Sequence, residues 1–346
     1  MENIKINYKK RNILLVILLS IVMITMLIFI FWTDKKINLL LKSDSDNENK
    51  YNYHFSMVID SADNPYWDIV YKSAENKAKQ MDSILEIAAT SLPETYSLYD
   101  KLNMAIAEKV DGIIVVPDGS DVINSMISNA TNESDINVIS LMENDSPCGR
   151  NGYIGINSYD QGIAYGSLLS QLASKRDSLN VVLLKPGSKQ IQTSENYSSN
   201  VIYSGLVEYI NSNNLSDKIQ ITIESINQVS TFNCKRDIQQ LLSVENPPDV
   251  IICSDYLFTI SACQIVVDRN LVGNVQILGS YISKDILDYI QKGTMYGTVA
   301  VDPYKLGEVA IEEMIELKTI NRTNDYMALE MLTIDQNNIN EYINMF

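Results

Sequence analysis

Asn64, Tyr66 and Trp67 stand together in the stretch YHFSMVIDSADNPYWD, and their types suit holding a small molecule better than breaking a bond in one. The apolar run from His54 to Ile59 reads as a buried strand and Asp60 to Asp63 as a polar turn. Pro65 suits the first helical position, because proline lacks the N–H that would go unsatisfied there, and Asn64 is the residue whose side chain caps that helix. In an open parallel sheet ligands collect outside the carboxyl ends of the strands, so a turn of this kind, with two large aromatics at the helix start, faces a crevice.

Reactive chemistry has little to work with elsewhere. Asp60, Asp63 and Asp68 form a carboxylate cluster that a solvated turn and capping explain without acid–base work. His54 is the one histidine of the chain and lies in the first strand, the place of a structural residue. No GxSxG elbow, P-loop, GxGxxG fingerprint or metal-binding pair occurs, and GRNGYIG lacks the strand and spacing a dinucleotide site requires. An enzyme is therefore not expected, nor is a cofactor or a metal. The four cysteines, Cys148, Cys234, Cys253 and Cys263, match no zinc spacing. Their disulfide state is open, with Cys253 and Cys263 reading as buried free thiols.

Charge is unevenly spread. The 346-residue chain has a formal net charge of −16, but residues 1–52 carry +3 and the remainder −19. No basic nucleic-acid footprint is expected on that acidic body. Ile13 to Trp32 is a run of twenty uncharged residues, which matches the roughly 20 needed to cross the hydrocarbon of a bilayer as a helix. Lys5, Lys9, Lys10 and Arg11 precede it, so the rule of positive charge inside puts the N-terminus in the cytoplasm and the rest outside. The run is longer than a signal-peptide core and FWTDKK offers no small-residue cleavage site, so a retained single-pass anchor in the cell membrane is expected. Residues 33–52 read as a linker, with the polar Ser43 to Asn52 as a tether.

Beyond the tether the chain settles into a rhythm. Apolar runs occur at 54–59, 84–89, 112–117, 137–142, 181–186, 219–224, 249–254 and 275–280, each followed by a stretch long enough for a helix. Runs apolar almost throughout imply cover on both faces, and strand–helix alternation implies parallel pairing. The expectation is an α/β fold with doubly wound parallel sheets in two lobes, since at least eight strands exceed one comfortable sheet. Crossings between lobes are placed at Cys148 to Gly162, with a short strand from Gly152 to Ile156, at Tyr296 to Gly307 and at Ala328 to Asp335. Three crossings make a three-strand hinge rather than a flexible linker.

The succession SMVIDSADNPYWDIVYKSAENKAKQM, AIAEKVDGIIVVPDGSDVI, INVISLMEN, YIGINSYDQGIAYGSLL, PPDVIICSD and VQILGSYISKDILDYIQKGTMYGTVAVDPYKLG resembles the type I periplasmic binding proteins. The ribose, galactose and xylose binders are the nearest in pattern, with the effector domains of LacI-type repressors as relatives. The resemblance implies two Rossmann-like lobes closing over a small ligand. Lobe 1 would hold residues 53–156 and 302–325, and lobe 2 residues 157–301 and 326–346. A repressor is excluded, since an apolar segment stands where a DNA-binding motif would be.

By the same resemblance Asn64, Tyr66 and Trp67 would meet a sugar, whose apolar C–H faces suit an aromatic plane. Phe232 would be the aromatic of the opposite lobe, and Glu143 would accept hydroxyls at the end of the fourth strand, where Asn144 stands in place of an arginine and cannot give its bidentate fork. Lobe 2 departs from the pattern, with Ile202, Ser254, Tyr281 and Val301 at positions where the family has polar partners. Three readings stay open: a less polar or differently hydroxylated ligand; a contribution from Asp255, Tyr256, Tyr281 and Tyr304 instead; or a cleft given over to protein contact. The function implied is an anchored extracytoplasmic receptor that binds a monosaccharide or a derivative and signals to a membrane partner such as a sensor histidine kinase. The alternative is the substrate-binding subunit of an ABC importer, docking on its permease.

Overall fold

The computed structural model describes residues 26, 51–59, 64–89, 96–142, 148–187, 197–227 and 230–345. The expected membrane span, apart from Met26, lies outside them, as do Glu143 and Asn144. Among the described residues no helix is long and apolar enough to cross a membrane. Residues 52–346 form one compact unit.

The first lobe of that unit alternates strand and helix: β1 (Tyr53–Val58), α1 (Pro65–Gln80), β2 (Ser83–Ile87), α2 (Leu98–Ala107), β3 (Gly112–Val115), α3 (Asp121–Glu133), β4 (Asn137–Leu141) and β5 (Gly152–Gly155). Each helix start is fixed by a local side chain, as short polar residues beside the first turn favour. Asn64 caps α1 ahead of Pro65, Ser97 and Asp100 make a reciprocal capping box on α2, and Ser120 caps α3. The β3 segment GIIV is buried along its whole length, as a central strand covered on both faces must be.

The second lobe repeats the plan with α4 (Ser158–Ala173), β6 (Leu179–Pro186), α5 (Tyr197–Ser212), β7 (Ile219–Ile226), α6 (Thr231–Leu241), β8 (Val250–Cys253), α7 (Tyr256–Asp268), β9 (Gln276–Ser280), α8 (Lys284–Gln291) and β10 (Gly297–Val301). The chain then returns through α9 (Pro303–Ile320), β11 (Met327–Ala328) and β12 (Met331–Asp335). Two six-stranded sheets result, in the orders β11-β5-β4-β3-β1-β2 and β12-β10-β9-β8-β6-β7. Pairing is parallel throughout except between β10 and β12. Each of the eight apolar runs of the sequence falls on a strand, and the short strand inside Gly152 to Ile156 is β5.

Three short connections join the sheets. Ile156 and Asn157 link β5 to α4, Asp302 links β10 to α9, and Leu329 and Glu330 separate β11 from β12. The last of these is tighter still, because the Leu329 N–H donates to the Gly155 carbonyl of the first lobe at 2.7 Å. Met327 and Ala328, expected to belong to lobe 2, pair with Ile154 and Gly155 in the first sheet. Glycine sets the closest helix pairs: a Cβ on Gly307 of α9 would strike the Val70 carbonyl of α1, and one on Gly205 of α5 the Tyr159 carbonyl of α4. One apolar cluster covers the α1 and α9 side of the first sheet and runs unbroken into the core of the second lobe. A separate cluster lies under α2 and α3.

Candidate functional site

The carboxyl ends of strands from both sheets border a cleft of about 320 Å³. That volume sits near the lower end of the ~300–1,000 Å³ usual for small-molecule sites. From the first lobe come Ile59, Asn64, Trp67, Leu98, Asp118 and Met142, and from the second Ser158, Gln161, Ile202, Ser254, Asp255, Ser280 and Tyr281. Among the described lining residues there is no Lys, Arg or His.

On the first-lobe side, Asn64 is 3 % exposed and its Oδ1 accepts the Tyr66 N–H at 3.0 Å. Capping uses the carbonyl oxygen, so the amide NH₂ is what Asn64 can offer to a ligand. Trp67 reaches the cleft two residues inside the helix. Tyr66 does not line it: the ring is fully buried, and its hydroxyl donates to the Val301 carbonyl of the second sheet at 3.2 Å. It acts as a strut between the sheets. His54 lies at the amino end of β1, away from the cleft, where its Nε2 is 2.9 Å from a Glu86 oxygen.

The second-lobe side is floored by a buried polar network. The Tyr165 hydroxyl is 2.6 Å from Ser280 Oγ, which in turn donates to the Cys253 carbonyl at 3.0 Å. Gln161 Nε2 donates to both hydroxyls at 3.3 Å. With its nitrogen so placed, Gln161 has its Oε1 to offer the cleft. Burial pushes the Tyr165 phenol up against the opposing pull of its Ser280 and Gln161 bonds, so it stays neutral.

Asp255 caps α7, its Oδ1 accepting the Leu257 and Phe258 N–H groups at 2.7 and 3.3 Å. The residue is partly open to the cleft, yet burial raises its pKa, a pull the backbone bonds from Phe258, Leu257 and Tyr256 oppose. Ser254 Oγ is 3.2 Å from the Leu184 carbonyl to which it donates.

Two strand ends at the cleft carry backbone strain. Met142, after β4, has φ 54° and Tyr281, after β9, has φ 70°. A bulky L-residue in that region costs on the order of 1–3 kcal/mol and persists where neighbours over-determine it. Each carbonyl is held by a buried hydroxyl: Tyr153 donates to Met142 at 2.7 Å and Thr298 to Tyr281 at 2.7 Å. The Tyr281 ring lies 5.0 Å from that of Tyr66, 6.3 Å from Trp67 and 6.4 Å from Tyr256.

The cleft thus gathers Asn64, Trp67, Ser254, Asp255 and Tyr281 of the residues singled out in the sequence, and not Phe232. Phe232 is 74 % exposed. Ser230 caps α6, and the inward face of that helix is Cys234 and Ile238, which turns position 232 outward. The aromatic that the second lobe brings to Trp67 is Tyr281. Tyr304 also lies elsewhere, its hydroxyl donating to the Met345 carbonyl at 2.9 Å. Asp118, Ser158, Gln161 and Ser280 were not anticipated. The rule that ligands gather at strand carboxyl ends points to Asp118 and Ser280, whereas nothing local marks Gln161. All four cysteines are buried free thiols, with burial pushing Cys234 to about 11 and Cys263 to about 12.

Two carboxylates, two carboxamides, serine hydroxyls and an aromatic wall can hold a small polyhydroxylated molecule by its edge and its face. Solved structures share the architecture. A glucose-galactose binding protein, GanP, from Geobacillus stearothermophilus superposes with a TM-score of 0.70 at 23 % identity, covering 82 % of this chain and 98 % of its own. A solute binding protein of an ABC transporter from Actinobacillus succinogenes, solved with bound D-allose, gives 0.68 at 19 % identity, covering 84 % and 100 %. XylFII in its complex with LytSN gives 0.66 at 21 % identity, covering 82 % and 98 %. No protein of curated function matches the chain. The model of the periplasmic binding protein domain matches residues 55–320, and the chain belongs to that family.

Proposed function

We propose that this chain is a membrane-anchored extracytoplasmic receptor that binds a neutral monosaccharide or close derivative between its lobes and passes the bound state to a membrane partner such as a sensor histidine kinase. The cleft carries the reading: about 320 Å³ bordered by Trp67 on one side and by Gln161, Asp255 and Ser280 on the other suits one sugar ring and its hydroxyls. The superposed fold of GanP, a glucose-galactose binding protein, supports the ligand class, and that of XylFII, solved together with a second protein, supports a protein partner. The apolar run Ile13 to Trp32, with basic residues before it, supports the anchor. Closure is transmitted only if the ligand favours one lobe arrangement and the partner discriminates between arrangements.

Isothermal titration of a panel of aldopentoses and aldohexoses against residues 52–346 tests the ligand. One or more sugars releasing saturable heat is expected, and no response from any member overturns the ligand class. Purification of the full chain from membranes tests the partner: a kinase recovered in stoichiometric amount is expected, and permease and ATPase subunits without a kinase would replace signalling by import.

A further inference from the structure

Trp67 borders the cleft and yet is 2 % exposed. Its neighbour Tyr66 stands edge-on to it, 5.2 Å away at 88°, within the same helix turn. The ring that reaches this pair from the other lobe is Tyr281, itself 4 % exposed and packed at 75° to Tyr66 and 66° to Trp67. Tyr281 therefore covers the indole, and the apolar core that continues from one lobe to the other passes through these rings. Its main chain is fixed in the left-handed region with the carbonyl held by Thr298, so opening would be a rotation of the packed side chain about its own torsions.

We propose that Tyr281 is the gate and specificity determinant of the cleft. Its ring packs against the indole that a ligand would use. Entry of a ligand exchanges one ring for another on Trp67. This rests on the reading that the cleft takes a sugar-like solute, and it narrows the class. A cyclic sugar presents an apolar C–H face that packs on the indole in place of the departing Tyr281 ring, whereas an open-chain alditol of the same hydroxyl count does not. The apparent affinity is the intrinsic one scaled down by the fraction of protein in which the gate is open.

The chain has two tryptophans, Trp32 and Trp67. In the full-length protein in detergent, Trp32→Phe leaves Trp67 as the single reporter. Tyr281→Asn, in that background, removes the ring while keeping a residue that tolerates positive φ. Tyr281→Phe keeps the ring. Acrylamide quenching of the unliganded proteins should show a protected indole with Tyr or Phe at position 281 and an accessible one with Asn. Titration with the sugar panel should show the Asn variant binding about tenfold tighter, as loss of a closed-gate population predicts, with the matching alditol bound weakly by the Tyr form. Equal quenching of the Tyr and Asn forms overturns the gate. So does weaker sugar binding by the Asn form, which would make Tyr281 a wall that touches the ligand. If no sugar binds any form while quenching still rises in the Asn form, the sugar reading falls and Tyr281 stands as the cover of Trp67.

Discussion

At the start of α1 the first lobe meets the cleft with residues that are neighbours in the chain, Asn64 and Trp67, held in one helix turn by a cap on the helix itself. The second lobe meets it with residues that the chain keeps far apart: Gln161 bonds to Ser280 across 119 positions, and Tyr165 across 115. One side is built by local capping and the other by tertiary packing. A side built locally loses one contact when one residue changes, whereas a side built from a buried network leaves several polar groups unsatisfied at once.

The largest effect should come where the local side is also core. Trp67→Ala removes a ring that is nearly buried, so it should lower unfolding stability by about 3–5 kcal/mol, read from the urea midpoint of residues 52–346. A stability equal to wild type would mean that Trp67 is surface, and the local side would then carry no share of the core. Tyr165→Phe comes next. Removing the hydroxyl strips Ser280 and Gln161 of a shared partner, an expected loss of about 1–3 kcal/mol in the same measurement. An unchanged midpoint would mean that the second-lobe floor is not held by that network.

Asp255→Asn sharpens the contrast between capping and ligand contact. Asparagine caps as well as aspartate, so stability at neutral pH should not fall. Sugar affinity should drop about tenfold, since a charge-assisted bond becomes a neutral one. Titration calorimetry separates this from no change, which would make Asp255 a cap alone. The pH dependence follows from burial raising the Asp255 pKa above its unfolded value. The folded protein then binds the proton more tightly, so this group adds stability as pH falls through the raised pKa to the ordinary carboxylate value, below which its contribution is constant. Wild type minus Asp255→Asn, compared by urea unfolding across that window, should show this slope. The smallest effect is expected at Phe232→Ser, within about 0.5 kcal/mol of wild type and with sugar affinity unchanged. A large affinity loss there would restore the position to the site.

The strands and helix starts were legible because their signals are local. Val250–Cys253 is apolar without a break and buried throughout, and Asn64 before Pro65 marks the start of α1 in the residues themselves. Trp67 at the cleft followed from that start, whereas Tyr66 beside it turned into the core. The polar half did not, because serines, a glutamine and a tyrosine in separate segments carry no sign that they will converge. Phe232 shows the opposite failure: family order placed it at the site, and a cap three residues before Asn233 rotated it to the outside. Tyr281 was visible as a departure from pattern, but its positive φ and its reach to Tyr66 belong to the fold alone.

The three connections between the sheets set what motion is available to the lobes. Asn157 and Asp302 are each a helix cap, bonded to the Tyr159 and Tyr304 N–H groups at 2.9 Å, while Leu329 is tied by its N–H to the Gly155 carbonyl at 2.7 Å. Each connection is thus a stub of about two to four free torsions, two per residue, anchored at its ends. Stubs that short can twist but cannot lengthen. Sliding one lobe past the other is forbidden, and the remaining freedom is rotation about a line through the stubs. On such a lever a small angular change at the pivots becomes a larger displacement at the outer rims of the lobes.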